Sequence, residues 1–279
     1  MFRLIPYFSA MNWIDQLPPE LSSAADRLAA TARPCVRLDI GDQAPAQRWH
    51  SCLGRVLYWP ADQAWPVDRN GRPLFGLLQL NLADLPALPD LPTFGILQFF
   101  ITDDPFWGAN PLQPFQEDNF RVLYHPDPTP ETTPLLADFS FLPIFEDLPL
   151  QRDLCLAVTG HADTMPLPPE DFRFAKLLGD IFTDLGDAQW DALNLYRKAI
   201  GTVGHRLGGY PGFAGADHRS SYDLPWELLL QLDTDPKIGL FWGDYGVAHW
   251  FNLSPTAERR LNAPGADPFA EIWYGWESA

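Results

Sequence analysis

Two glutamines stand inside otherwise apolar runs: Gln79 in Leu77-Leu78-Gln79-Leu80-Asn81, and Gln231 in Leu229-Leu230-Gln231-Leu232-Asp233. A buried amide needs hydrogen-bond partners, because an unpaired buried donor costs roughly 1–3 kcal/mol. Each glutamine therefore either ties its strand to a neighbouring loop or offers its amide to a peptide or ligand. The repeated placement favours the tie. Around the second glutamine lie His205, Asp217, His218, Asp233, Asp244 and His249, side chains suited to metal or acid–base chemistry. A metal site needs several converging ligands, and neither HxH nor HExxH spacing occurs. Asp233 and Asp244 fall in turn sequences, where aspartate bonds local backbone amides. Asp103 and Asp104 are adjacent, so on a strand they would face opposite ways.

Nucleophilic chemistry has less support. There is no GxSxG elbow, and Ser220-Ser221 lies in a polar loop. Cys52 follows His50 too closely for attack geometry, and apolar burial is the usual fate of a free cysteine. The phosphate-loop patterns GxxxxGK[ST] and GxGxxG are missing. The sequence thus points to no catalytic residue, metal or cofactor. Tryptophans are the positive signal: of Trp59, Trp65, Trp107, Trp226, Trp242 and Trp250, several sit at turns or strand ends. An exposed subset beside Asp and Gln would form a groove for peptide or sugar.

These residues need elements to hold them. The stretch 205–253 opens on Gly208-Gly209-Tyr210-Pro211 and reads as a three-stranded antiparallel meander: Glu227–Leu232, Ile238–Trp242 and Val247–Leu253. Gly243 and Gly246, flanking Asp244, suit the positive φ angles of tight turns. An earlier stretch answers it. Leu77–Asn81 matches Leu229–Asp233, Gly95–Phe100 matches Gly246–Phe251, and Leu53-Gly54-Arg55 matches Leu207-Gly208-Gly209. The offset stays near about 150 residues, too long for a solenoid, so two copies of one half-domain are expected. The expected fold is α+β, with two related β-rich half-domains carrying antiparallel meanders and flanking helices. The first half (1–150) would hold a helix at 10–33 ended by Pro34, strands over 36–124 and a proline-rich connector. The second (151–279) would hold a strand at Leu154–Val158, helices over about 168–203 with Asp187 as a cap, and the meander at 227–253. The two would form one compact unit.

Composition narrows the function classes. A net charge of −17 opposes nucleic-acid and anionic-membrane binding, and it suits a basic partner. Hydrophobic residues at 46% argue for a folded globule. Three widely spaced cysteines, with no CxxC pair, make a disulfide framework or zinc ribbon an unsuitable reading. The N-terminus lacks a signal-peptide pattern, and no run approaches the ~18 apolar residues of a spanning helix. A cytoplasmic protein is expected, and the sequence leaves its oligomeric state open.

The stretches CLGRVLYWPADQAWPVDRNGRPLFGLLQLNL, FGILQFFITDDPFWG, GHRLGGYPGFAGAD and LLLQLDTD…GLFWGDYGVAHWF resemble the bacterial YwqG-like proteins, the domain-of-unknown-function 1963 family. The resemblance spans most of residues 50–255. Two positions depart from the family's pattern: Gly54-Arg55 replaces the usual Gly-Gly, and Ala214-Gly215 replaces the usual Thr-Gln. That family is similar in fold to the eukaryotic programmed-cell-death-protein-two group, whose members are dedicated chaperones for a small-subunit ribosomal protein. The resemblance implies two related β-rich halves and protein binding more than catalysis, with toxin immunity proposed for some relatives. The expected function is a non-enzymatic module that holds a polypeptide client, with Gln79, His205, Gly208, Gly209, Tyr210, Gln231, Asp233, Trp242 and Asp244 as candidate binding residues. The alternative is an enzyme or binding protein for a small polar ligand or glycan, using Asp, His and Trp side chains of the C-terminal half.

Overall fold

The computed structural model describes residues 13–215, 217–221, 226–253 and 267–278. Among the described residues ten strands form a single sheet: β1 (Arg33–Ile40), β2 (Cys52–Leu53), β3 (Phe75–Asn81), β4 (Ile96–Ile101), β5 (Phe120–His125), β6 (Leu156–Met165), β7 (His205–Gly208), β8 (Trp226–Asp233), β9 (Val247–Leu253) and β10 (Ile272–Glu277). Their order is β10-β9-β8-β7-β1-β6-β2-β3-β4-β5, and every pairing is antiparallel. Short helices α1 (Ala25–Ala29), α2 (Phe174–Leu178), α3 (Asp180–Thr183) and the longer α4 (Gln189–Ile200) lie outside the sheet. The class is therefore α+β, mostly antiparallel β, with the sheet curled into an almost closed barrel.

Closure is made by side chains and a loop. Phe120 of β5 meets Tyr274 of β10 at a ring separation of 5.2 Å, and Tyr124 meets Phe269 at 5.2 Å. The loop before β5 bonds the outer edge of β10, with the Tyr274 amide donating to the Pro114 carbonyl at 2.9 Å. No backbone ladder joins β5 to β10 among the described residues. The inner face holds the main core. Leu78, Leu80, Leu97 and Phe99 from one wing face Leu230, Leu232 and Trp250 from the other, and the Phe99 and Trp250 rings are 5.5 Å apart. Alternation along β1 divides its residues, with Val36 and Leu38 in this core and Cys35 in a second cluster. That second cluster, under the helices, also contains Met165, Phe174, Tyr196 and Tyr210.

The centre of the sheet is uneven. β1 and β6 share eight residue pairs, whereas β2 meets β6 through two, Cys52↔Ala157 and Leu53↔Leu156. Both Leu-Leu-Gln runs contain a bulge, between Gly76 and Leu78 in β3 and between Leu228 and Leu230 in β8. A bulge breaks strict alternation, and both strand faces are covered. These runs therefore read as continuously apolar.

Several expectations need correction. Ile238–Trp242 is not a strand. It belongs to a turn with one isolated bridge, Asp235↔Leu240, and β8 pairs directly with β9. Pro236 has no amide to give a ladder, and Gly239 sits at φ 72°. The third strand of that wing is β10, from the chain's tail. Gly243 has the expected positive φ (58°), but the second such position is Tyr245 (57°), not Gly246. Gly246 is needed for close approach, because a Cβ there would overlap the carbonyl oxygens of Glu277 and Trp242. The helix expected at 10–33 is two 3-10 turns, Trp13–Gln16 and Pro19–Ala24, followed by α1; its first residues lie outside the described ones. Pro34 lies inside β1, opposite Thr164, so the chain has left the helix before it. The strand expected at Leu154–Val158 begins at Leu156 and continues to Met165. The helix expected after Pro169 is split at Gly179, and Asp187 lies in the 3-10 turn before α4 without capping it. α4 ends at Gly201 in the left-handed conformation (φ 56°), as a C-terminal glycine should.

The overlap at Gly246 has a measurable consequence. Gly246→Ala should detach the end of β10 from the 242–246 turn and destabilise the fold by roughly 3 kcal/mol or more. Urea unfolding checks this, and Gly71→Ala, at a glycine whose Cβ would meet nothing within 4 Å, is the milder control.

Candidate functional site

The site is built on the two glutamines. The Gln231 carbonyl oxygen accepts the Gly212 amide at 2.8 Å, and its amide donates to Thr202 O at 2.9 Å and Gly204 O at 2.8 Å. On the neighbouring strand, opposite Gln231, His249 donates from Nε2 to Gly212 O at 3.0 Å. Gln79 is bound in the same manner. Its oxygen accepts the Tyr58 amide at 2.9 Å, and its amide donates to Arg48 O at 2.9 Å and His50 O at 2.8 Å. Opposite Gln79, Gln98 donates to Tyr58 O at 2.6 Å. In each wing one loop residue is thus gripped through both its amide and its carbonyl. Both glutamines are fully buried and their amides are spent inside the chain.

The gripped loop of the C-terminal wing starts at Gly208 and Gly209, with φ 71° and 73°. A Cβ at Gly209 would lie 2.8 Å from the Cys35 Cβ, so the loop can lie flat on β1 only as glycine. Tyr210 is buried and donates its hydroxyl to Thr31 O at 2.7 Å. Beyond it, Arg219 is 1% exposed and heads an alternating charge chain. Its guanidinium donates to Asp217 and Asp171, each at 2.7 Å, and to Trp226 O at 3.0 Å. Asp171 also receives Arg173 at 2.7 Å, Arg173 reaches Glu227 at 2.8 Å, and Glu227 receives Arg33. Burial works against the Asp171 charge, yet the hydrogen bonds from Arg173 and the charge of Arg219 hold its carboxyl below the usual carboxylate range.

Against β10 this loop encloses a pocket of about 280 Å³. Phe213, Arg219, His249, Phe251 and Trp273 line it, with Glu277 at the rim. Arg219 lies 5.1 Å from the Phe251 ring centre, and His249 stacks on Phe251 at 5.5 Å. Glu277 accepts the Ala214 amide at 2.7 Å and faces His218 at 3.6 Å. Five consecutive residues, Trp273–Glu277, line the pocket. Successive strand residues face opposite ways, so the pocket follows the edge of β10 and not one face. Burial, and after it the Arg219 charge, push the His249 pKa down to about 3, which leaves a neutral ring at the base. The lining suits an apolar or aromatic group with a cationic neighbour for Glu277.

The residues picked from sequence mostly support this pocket from below. His205 is buried, accepts the Asp233 amide at Nδ1 (3.1 Å), and turns Nε2 towards Asp235 at 3.7 Å. Asp233 accepts the amides of Gly204 (2.7 Å) and Thr234 (2.8 Å), and burial pushes its carboxyl up. With Gly208, Gly209, Tyr210 and Gln231 they anchor the loop that carries Phe213 and Arg219. Trp242 is fully buried, 5.4 Å from Trp107 and 6.2 Å from Trp250, and Asp244 is exposed on the following turn. Gln79 belongs to the other wing. The structure separates the carboxylates of the enzyme alternative: Asp217 is tied through Arg219 to the Trp226 end of β8, and Asp233 ends the same strand about 20 Å away at the strand rise of ~3.3 Å per residue. No group of three potential metal ligands converges among the described residues. Trp273, Trp276 and Glu277 are not among the residues expected from sequence, and the signal that could find them is Ile272-Trp273-Tyr274, rich in strand-forming types.

Fold and site together define an almost closed antiparallel barrel with an aromatic edge pocket. A family model described as a domain of unknown function, DUF1963, matches residues 51–277, and the chain belongs to that family. No curated protein matches the chain. No helix among the described residues is long and apolar enough to cross a membrane.

Two outcomes follow from the buried polar groups. Gln231→Ala orphans the Gly212 amide and two carbonyls and should cost on the order of 3 kcal/mol. Gln79→Ala should cost a similar amount, with near-additivity in the double variant because the two sit in separate wings; urea unfolding measures all three. Unfolded histidine titrates near ~6.5, far above folded His249, so below that pH the unfolded chain binds a proton that the folded chain refuses. Stability therefore falls as pH falls, by about 1.4 kcal/mol per pH unit from roughly 6.5 down to 3 for this one group. His249→Gln should remove one proton's worth of that slope in a series of unfolding curves.

Proposed function

We propose that this protein is a non-enzymatic module that binds a polypeptide client along the edge of β10. One observation carries the reading: the aromatic pocket runs along an outermost strand, where an extended peptide could add beyond the Tyr274–Pro114 bond. Peptide side chains of alternate residues would point into the pocket between Phe213 and Trp273, and a Lys or Arg would reach Glu277. The net charge of −17 would speed capture of a basic client. Such a client fits a chaperone-like or an immunity-like role. The pocket also supports a second reading, a glycan or small polar ligand stacked on Phe213 with Glu277 as its hydrogen-bond acceptor.

We further infer that residues 1–150 and 151–279 are related halves of one duplicated unit. The matched grip of Gln79 on Tyr58 and of Gln231 on Gly212 supports this, as does the shared order of β2–β5 and β7–β10 outward from the centre. A cytoplasmic location is consistent with three unpaired cysteines.

Selection from a random peptide library, followed by fluorescence anisotropy, tests the binding reading. Selected peptides should be rich in Lys or Arg beside an aromatic residue, and affinity should drop as salt rises. Glu277→Lys should weaken binding about tenfold or more, corresponding to ~1.4 kcal/mol. Peptides that bind wild type and variant equally would place the client elsewhere, and selective retention of a glycan would favour the second reading.

A further inference from the structure

We propose that Cys155 is a peroxide-reactive thiol and Cys52 its resolving partner, so that the pair closes reversibly into a disulfide across the β2–β6 seam. Cys52 lies on β2 opposite Ala157, and Leu53 lies opposite Leu156. Position 155 therefore falls two residues from Ala157 on the same face as Cys52, its diagonal cross-strand neighbour. The backbones are pressed together here: a Cβ on Gly54 would meet the Leu154 carbonyl. Both thiols are free, and each lies close enough to the other to shift its titration. The Cys52 thiol also has Arg55 O within 3.2 Å.

The partners are unequal in the way that such chemistry requires. Cys52 is completely buried, whereas Cys155 is half-buried and open to a small oxidant. The neighbouring Cys52 thiol, and the nearby Arg55 charge, draw the Cys155 thiol below its ordinary range, while the Cys155 thiol and burial push Cys52 up. The thiolate is the nucleophile, so Cys155 reacts first. Its sulfur attacks one oxygen of hydrogen peroxide, the O–O bond breaks, and the departing hydroxide leaves as water with the thiol's proton. Cys155 is then a sulfenic acid. The Cys52 sulfur attacks the Cys155 sulfur, the S–O bond breaks, and the hydroxide leaves as a second water with the Cys52 proton. Two thiols and one peroxide give one disulfide and two waters, and a cellular dithiol reverses the step. Cys35 stands apart, buried under the helical layer with its thiol pushed up to about 11, and serves as an internal control. The bond would staple the seam where β2 and β6 share only two residue pairs.

Mild hydrogen peroxide, then alkylation in denaturant and peptide mapping by mass spectrometry, provides the test. Wild type should fall from three alkylatable cysteines to one, with the missing two recovered as a Cys52–Cys155 peptide that dithiothreitol separates. Cys52→Ser should stop at the sulfenic acid, trapped on Cys155 by dimedone, and Cys155→Ser should keep its remaining thiols reduced. Cys35→Ser should behave as wild type. The dimedone adduct keeps the test informative on wild type itself, in competition with closure, if a variant folds poorly. Three alkylatable thiols after oxidation, a link through Cys35, or a Cys155–Cys155 dimer would each overturn the proposal.

Discussion

The structure depends on the need to satisfy polar groups beneath the sheet's covered outer faces. A loop that covers an apolar sheet face brings amides and carbonyls out of water, and each must find a partner. Here one side chain per wing meets that need. Gln79 and Gln231 rise from the middle of leucine-rich strands and bond three or more main-chain groups each. The strand beside each one adds a donor, from Gln98 or His249, to the same loop residue. The loops are thereby fixed in register with the strands beneath, and the pocket inherits its shape from that register.

The two wings then diverge in what their loops do. In the N-terminal wing the gripped loop leads to Trp59 and Trp65, which fill their own cluster with Phe100. In the C-terminal wing it leads to Phe213 and Arg219, and space remains beside β10. The Arg33–Glu227–Arg173–Asp171–Arg219–Asp217 chain keeps that loop at its distance. Desolvating six charges is expensive, and only close alternation with good hydrogen bonds offsets the cost. In return the chain links β1, the segment before α2, the pocket loop and β8 through their side chains. Its three arginines are matched by three carboxylates, so the chain is neutral and leaves the net charge of −17 to the rest of the molecule.

Much of the central frame was legible from local pattern. The runs 74–80, Phe94–Ile101, Phe120–Tyr124 and Val247–Leu253 read as strands because apolar, β-branched and aromatic residues crowd between turn formers, and they fold as β3, β4, β5 and β9 with bounds shifted by two residues or fewer. The turn after Asp233 misled, because Gly-Leu-Phe-Trp has strand composition while Pro236 and Gly239 forbid a ladder. The helical face over β1 was legible only in outline, since 3-10 turns and a glycine break the periodicity on which a helix reading relies. Of the candidate site, Gln231, Gly208 and Gly209 were found because they interrupt a pattern. Trp273 and Glu277 interrupt nothing, and their one local signal is the strand-forming composition around Trp273.

The sequence by itself determined that this chain folds as a β-rich globule, that its leucine-run glutamines require buried partners, and that its acidity opposes phosphate ligands. Each of these follows from residue type and near-neighbour spacing. Which carbonyls the glutamines bind, which strand forms the pocket's edge, and how Cys52 comes to lie near Cys155 were decided only by tertiary structure. Such contacts join residues far apart in the chain. Burial and strand pairing select among many partners of equal local merit, and only the closed sheet fixes which of them meet.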